Sequence, residues 1–596
     1  MKELEYPFNS EYLIRNKRKL KRLLLEDGNK IWTEIRVAIL GGSTTSDIKK
    51  MLELFLLNYG LKPFFYESEY NQYYQEAVFH NGALTTFKPD IIYIHTSNRN
   101  ITSFPELKDN ADIISSRIEE EYGKFISVWD SLAEKYHCPI IQNNFEMPFY
   151  RLLGNKDASD IHGAVNFLTR LNLKFYEYAQ SHDSFFICDI NYISADYGLR
   201  DWANPFYWYM YKYALNVNAI PYLAFNVSNI IKSIFGKNKK GFVLDLDNTL
   251  WGGIVGDDGV ENIKMGPEES SGQVYAEFQC YVKAHKQLGI LLNINSKNDE
   301  KNALDGLNRP DCELKPDDFT VIKANWDSKD RNFLGIASEL NLLPESMVFI
   351  DDNPAERHII EEQISGVSVP EIGESHQYIQ NIDRNGYFEA TYLSADDFKR
   401  NEMYVKNVER LKLQSNFSDY GEYLDSLEMK AVIKSFEPMY MERIAQLTNK
   451  SNQFNLTTKR YTYGEIESIV QKGSSYITLY GKLVDRFGDN GLVAVCIGRV
   501  EEKRCHIELW LMSCRVLKRD MEYAMMDALV RKCQDNQINE IIGYYYPTTK
   551  NGMVKDFYSD MGFKLESNDC GNTVWSFFVT DNYIEKNIHI QMEEAE

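Results

Sequence analysis

The sequence has no long apolar run, no paired-cysteine spacing and no surplus of basic charge. No stretch approaches the roughly 18 to 20 apolar residues of a membrane span, and the charged N-terminus lacks the apolar segment of a secretory signal. A cytoplasmic protein without a membrane partner is expected. Nine cysteines in 596 residues, an odd number with no CxxC, argue against both a disulfide framework and a zinc site. Acidic residues outnumber basic ones 87 to 66, a formal charge of -21, which repels polyanions and excludes nucleic acid as a partner. The basic stretch from Arg15 to Arg22 is interrupted by Leu20 and followed by Leu23, Leu24 and Leu25, and reads as the solvated face of a helix. Repeats and low-complexity tracts are absent as well.

What the chain does contain is 44% hydrophobic and 26% charged residues, a globular composition at a length that calls for three or four domains. Short apolar runs alternating with helical periodicity divide it into three blocks. In residues 1–236 the strand-like runs are Val37 to Leu40, Ile91 to Ile94, Pro139 to Ile141 and Phe185 to Cys188, which predicts a parallel α/β sheet. A glycine- and lysine-containing hinge, Gly236 to Gly241, opens the second block, 237–380. Its strands are predicted at Phe242 to Leu244, Ile290 to Ile294, Val321-Ile322 and Met347 to Ile350, again doubly wound. In 381–596 a charged helix precedes meandering strands, a long helix and a further strand, an α+β pattern.

Polar residues at the ends of the second block's strands fit one reaction. Asp245 and Asp247, two apart as a strand opens into a loop, face one side, so that one can attack phosphorus and the other protonate the leaving oxygen. Thr249 shapes that loop. Ser296 follows the next strand as a phosphoryl donor, and Lys329 can neutralise developing charge. Asp351 and Asp352 close a further strand and, with Asp245 and Asp247, offer hard oxygen ligands for Mg²⁺, which carboxylates crowded against a phosphate require. The span from the glycine-rich loop Gly252 to Gly259 up to Ser296 is short. It leaves little room for a cap, so the site can admit a large substrate.

Together these segments resemble the four motifs of the haloacid-dehalogenase (HAD) superfamily, which implies an aspartyl-phosphate on Asp245 and a Rossmann-like domain with a minimal cap. The runs Asp245-Leu246-Asp247-Asn248-Thr249-Leu250-Trp251-Gly252-Gly253, Ser296-Lys297-Asn298-Asp299 and Phe349 to Arg357 are similar to the FkbH-like proteins of subgroup IIIC. So are Asn452 to Thr458, Asp485 to Gly491 and Leu511 to Leu517. The resemblance adds Lys297 and Asn298 to Thr249 and Ser296 as substrate-binding residues. It also implies a function: dephosphorylation of a phosphorylated small-molecule donor like 1,3-bisphosphoglycerate, with transfer of the glyceryl group to the phosphopantetheine arm of an acyl carrier protein. The family's usual cysteine before the motif-two serine is Asn295 here, and an amide cannot carry an acyl group. Cys514 is the remaining candidate relay, with a small buried structural residue as the other reading.

The flanking blocks carry more distant likenesses. Residues 507–563, with Asn551 to Tyr558 and Met561-Gly562-Phe563, resemble a GNAT-type acyltransferase, but Arg515 to Asp520 lacks the glycines that cradle a CoA pyrophosphate. Tyr558 is either a general acid or a core tyrosine. In the first block, Gly41 to Thr45 and Asn98 resemble an SGNH-type hydrolase. The late segment Asp196 to Asn204 has no histidine to activate Ser43, so a degenerate scaffold or carrier-docking domain is expected. The alternatives to acyl transfer are a plain phosphatase of a sugar or small metabolite and a non-catalytic biosynthetic scaffold.

Overall fold

The computed structural model describes all residues except 27–31, 80–81, 452, 549 and 594–596, and the side chains of 395–396 are likewise left aside. Asn452, the first residue of one family-like run, therefore lies outside the described residues. The chain forms two compact units, Met1–Ile234 and Phe235–Glu596. Among the described residues no helix is long and apolar enough to cross a membrane.

The first unit is built on five parallel strands, β1 (Thr33–Gly41), β2 (Leu61–Glu67), β3 (Ile91–His95), β4 (Ile140–Asn143) and β5 (Phe185–Cys188), in the order β2-β1-β3-β4-β5. Four of them coincide with apolar runs in the sequence. β2 does not, because it is an edge strand carrying Lys62 and Pro63 and is buried only at its start. The helix Ala111–Tyr136 starts on Asn110, whose side chain accepts from the Ile113 amide at 2.9 Å, and ends on His137 at φ 48. Its buried Ile114, Ile118, Glu121, Phe125, Val128 and Leu132 recur every three or four residues, with Trp129 beside them. Trp129 packs on Phe175 and Phe185 and gives its indole N–H to Gln142 at 3.0 Å. In the N-terminal helix Ser10–Glu26, Leu20 and Leu24 are buried, while Leu23 and Leu25 stay exposed among the basic residues.

Four parallel strands begin the second unit: β6 (Gly241–Leu244), β7 (Leu291–Ser296), β8 (Val321–Ala324) and β9 (Met347–Ile350), ordered β8-β7-β6-β9. Every residue of β6, β7 and β9 is buried, as strands covered by helices on both faces must be. Between β6 and β7 lie only the turn-length helix Val255–Asp258 and the helix Ser270–Gln287, so no cap domain is inserted at this crossover.

The rest of this unit is one larger sheet, from β10 (Met429–Lys434), β11 (Phe454–Asn455), β12 (Tyr476–Asp485), β13 (Gly488–Glu501) and β14 (Arg504–Met512) through β15 (Glu540–Tyr545), β16 (Lys564–Asp569), β17 (Asn572–Phe578) and β18 (Ile590–Met592). β12, β13 and β14 form an antiparallel meander, and the helix Met521–Asp535 leads to β15, which runs parallel to β14. The whole is mixed α/β with two parallel sheets, and the fold class read from the sequence holds. A buried cluster ties the helix Arg400–Gln414 to this sheet: Asp485 accepts from Arg410 at 2.7 Å and from Arg519 at 2.9 Å.

Two ionisable groups sit buried at the carboxyl end of the first unit's sheet and act in opposite directions. Burial lowers His95 from 6.5 to about 4 and raises Glu146 from 4.5 to about 7. The unfolded chain thus binds more protons at position 95 between pH 4 and 6.5, and stability from that site is lost as pH falls through this window. At Glu146 the folded state holds the proton, so stability is lost as pH rises from 4.5 to 7. Glu146→Gln keeps the protonated shape. Hydrogen exchange of β3 and β4 amides should show the variant gaining on the parent by about 3 kcal/mol between pH 4.5 and 7; a difference that does not change with pH would contradict this.

Candidate active site

All the charged residues singled out in the second block fall at the carboxyl edge of its parallel sheet, where each strand gives way to a loop. β6 ends at Leu244 and delivers Asp245, β7 delivers Ser296, and β9 delivers Asp351. The helix after β8 starts at Lys329. Asp245 lies between two donors, the Ser296 hydroxyl at 2.7 Å and the Lys329 ammonium at 2.9 Å. Lys329 also contacts Asp351 at 2.5 Å. Asp245, Ser296, Lys329 and Asp351 are all buried, so these charges act through little water.

Asp247 belongs to the same cluster through an amide. Asn298 donates to Asp247 at 2.9 Å and to the Ser296 hydroxyl at 3.1 Å, joining the two aspartates in one chain of contacts. The other oxygen of Asp247 accepts from the Trp251 indole at 2.9 Å and the Val255 amide at 3.0 Å. The loop that allows this is tight. Asn248 adopts φ 52 and accepts from the amide of Gly253, itself at φ 98, a conformation that strains any side chain. Thr249 accepts from the Asp352 amide at 3.1 Å and so joins the first loop to the fourth. Lys297 points outward and pairs with Glu356 at 2.6 Å.

The electrostatics are those of crowded carboxylates. Burial and the charge of Asp245 push the Asp351 carboxyl up to about 7, against the pull of Lys329, and raise Asp352 as well. Burial disfavours the charge on Lys329, yet Asp245 and Asp351 more than offset this and hold its proton more firmly than usual. Oxygens of Asp245, Asp351 and Asp352 lie within 4.8 Å of one another. Such an all-oxygen set, short of positive charge, suits a hard divalent cation. Asp247 is not in that group, and its oxygens accept from Asn298, Trp251 and Val255.

Two further contributors act through backbone carbonyls, a role that no spacing in the sequence specifies. Arg357 donates to the backbone carbonyls of Asp351 at 2.8 Å and Asp352 at 2.7 Å and pairs with Glu371, fixing the loop that carries both aspartates. Asn295 is buried in β7 and donates to the Lys329 carbonyl at 2.8 Å, which ties the strand to the start of the lysine's helix. Removing that amide in Asn295→Ala should cost about 1–2 kcal/mol in denaturant unfolding and lower phosphatase turnover by misplacing Lys329; unchanged stability would show that the tie carries no weight.

Cys514 is not at this site. Its carbonyl accepts from Asn341, just past the end of the helix Lys329–Glu339, and its thiol is influenced by Lys240, which precedes β6. Asp245 stands at the other end of that strand, five residues or roughly 16 Å away, and an 11-residue helix spans about the same distance. The thiol thus lies toward the opposite edge of the sheet. Burial alone would push it up, but Lys240, the Tyr404 hydroxyl at 3.4 Å, Arg515 and Arg400 hold it below the usual thiol value.

The other candidate centres are less complete. Tyr558 is fully buried and its hydroxyl accepts from the Tyr544 amide at 3.1 Å, a core contact. β14 and β15 pair only from Arg504 to His506 and then diverge, and the chain itself fills the gap. β11 pairs with the end of β14, and the Leu456 carbonyl accepts from the Tyr546 amide at 2.9 Å. Arg519, ahead of the following helix, is committed to Asp485. Titration with acetyl-CoA should accordingly give no saturable binding, and a Kd in the micromolar range would contradict the filled gap. In the first unit Ser43 is buried with no partner for its hydroxyl among the described residues, so nothing there activates it. Asn98 is spent on the carbonyls of Glu146 and Met147.

Residues 36–232 match the family model described as the FkbH N-terminal domain. The solved N-terminal part of the protein BF1531 from Bacteroides fragilis, which contains a phosphatase domain and is complexed with Mg, is 31% identical. That likeness covers 63% of this chain and 99% of the other, with a TM-score of 0.58. About a quarter of the chain is also similar to an acetyltransferase of the GNAT family from Streptococcus pneumoniae (13% identity, TM-score 0.22, 25% of this chain and 100% of the other). Ard1 from Thermoplasma volcanium is a further such structure (18% identity, TM-score 0.20, 25% and 99%). No curated protein matches the chain. With the family model covering the first unit and the Bacteroides relative matched over nearly all its length, the chain belongs to the FkbH-like family and carries a HAD-type phosphatase domain.

Proposed function

We propose that the carboxylate site removes phosphate from a phosphorylated C3-type acyl donor, of the 1,3-bisphosphoglycerate kind, in a Mg²⁺-dependent reaction. The acyl group then passes to the thiol of an acyl carrier protein's phosphopantetheine arm. The observation that carries the reading is the Asp245 carboxylate, held by Ser296 and Lys329 within 4.8 Å of Asp351 and Asp352. Asp245, Asp351 and Asp352 would hold Mg²⁺, which supplies the positive charge that offsets repulsion between carboxylates and phosphoryl oxygens. The Bacteroides relative's complex with Mg supports this assignment.

An oxygen of Asp245 attacks the phosphorus of the ester phosphate while the bond to the leaving oxygen breaks, and Asp247 gives that oxygen its proton. Ser296, Asn298 and Lys329 donate to the phosphoryl oxygens, with Thr249 keeping the two loops together and Lys297 at the rim. Water then attacks the aspartyl-phosphate as Asp247 takes its proton, which frees phosphate and restores Asp245. The acyl phosphate at the donor's other end remains for the carrier's thiolate, whose sulfur bonds to the carbonyl carbon as phosphate departs. The absence of a cap domain at the crossover from β6 to β7 suits an acceptor delivered on a protein-borne arm.

A second reading, a plain phosphatase, is favoured by Asn295 standing where a thiol is expected and by Cys514 lying toward the other edge of the sheet. Incubation with Mg²⁺, 1,3-bisphosphoglycerate and holo-carrier protein separates the two. A shift in the carrier's intact mass that accompanies phosphate release is expected, and release with no shift favours the plain phosphatase. Asp245→Asn should cut phosphate release by about 10³-fold or more. Chelation should abolish release and Mg²⁺ restore it. Cys514→Ser should leave release unchanged, and its loss would put the thiol in the reaction after all.

A further inference from the structure

The first unit has a cavity of about 380 Å³ that the phosphatase reading does not use. It opens among residues that follow β2, from Tyr70 to Gln75, and residues that follow β3, from Arg99 to Thr102, with Trp208 on a third side. In the order β2-β1-β3-β4-β5 the chain leaves β1 toward one neighbour and returns to pair on its other side. The crevice beyond the carboxyl ends of such strands is where open α/β sheets bind ligands. The volume lies toward the low end of small-molecule sites, of the size of a single sugar ring.

We propose that this cavity binds a small polyhydroxylated anion, a sugar phosphate or a sugar acid. Of its two cations, Lys124 is neutralised by Glu121 at 3.0 Å. Arg99 is different: among the described residues its guanidinium has no carboxylate partner and packs against the rings of Phe149 and Trp208, at 5.0 and 5.4 Å. Ring contacts of this kind leave the N–H edge of a guanidinium free for an oxyanion. Glu146 is close enough to Arg99 to respond to its charge, but burial holds the acid's proton to about pH 7, so it neutralises the arginine only in part. Asn71 and Gln75 line the cavity and match the donors and acceptors of hydroxyl groups. Asn71 is fixed by the Asn100 amide at 3.3 Å, which also binds the Gly42 carbonyl at 2.9 Å, so that the loops after β1, β2 and β3 are tied together. Tyr70 and Tyr74 add aromatic lining of the sort on which a sugar ring rests.

Calorimetric titration of the full chain tests this in an Asp245→Asn background, where phosphorylated probes are not consumed. The probes are glucose 6-phosphate, glucuronate, glucose, inorganic phosphate and AMP. Saturable binding of glucose 6-phosphate or glucuronate is expected, with the tighter of the two identifying the anion as phosphate or carboxylate. Glucose and inorganic phosphate should each bind more weakly. Arg99→Met should weaken the preferred probe by roughly tenfold or more, the scale of a lost charge-assisted hydrogen bond. Gln75→Ala, at an exposed helix position that cannot affect folding much, should weaken it several-fold. The proposal fails if neither anionic sugar binds, if both variants bind as the parent does, if inorganic phosphate alone binds as well, or if AMP binds more tightly.

Discussion

A buried ammonium between two buried carboxylates is the interaction on which the second unit's site depends. Lys329 touches both Asp245 and Asp351, and none of the three side chains is more than 8% exposed. Its positive charge offsets the repulsion between the two carboxylates, and removing one partner from a buried cluster of this kind is far more damaging than its net contribution implies. The arrangement sets two carboxyl groups against a single ammonium, and Asp352 adds a third carboxyl. The imbalance makes the pocket receptive to a divalent cation, and the cation in turn makes it receptive to phosphate. The four strands, the amide tie from Asn295 and the grip of Arg357 on two carbonyls all keep these charges at the spacing the imbalance requires.

Much of this could be read from the sequence because the strands are short, fully apolar and immediately followed by polar residues. Asp245, Ser296 and Asp351 each stand at such a transition, so the pattern of burial and the chemistry coincide in the text of the chain. Trp251, Val255 and Arg357 do their part through an indole, a backbone amide and backbone carbonyls, contacts that impose no spacing rule and leave no local trace. β2 escaped the apolar pattern because an edge strand needs only one buried end. The position of Cys514 was not legible either. Its neighbours Asn341 and Lys240 are more than 170 residues away along the chain, and no periodicity says which edge of a sheet a distant segment will meet.

In the larger sheet two parallel strands part, and the chain itself covers the edges they leave. Where β14 and β15 part, the backbone groups they leave unpaired are met by the segment around Leu456, and Asn551 adds a further contact to the Asn455 carbonyl at 2.9 Å. Unpaired strand edges are costly when buried. The family-like run from Gln453 to Thr458 is therefore explained here by backbone pairing rather than by reactive side chains. The Asp485 cluster acts in the same sense, since it occupies two arginines in joining a helix to the sheet.

Asn295 couples the mechanics of the site to its chemistry. Its amide ties the strand to the start of the lysine's helix, whereas a thiol at the same place would trade that tie for a nucleophile. The two uses exclude each other, because a single side chain cannot hold the Lys329 carbonyl and also swing toward a substrate. Exchanging this one residue for cysteine therefore changes the anchoring of the lysine's helix and the chemistry of the strand end together.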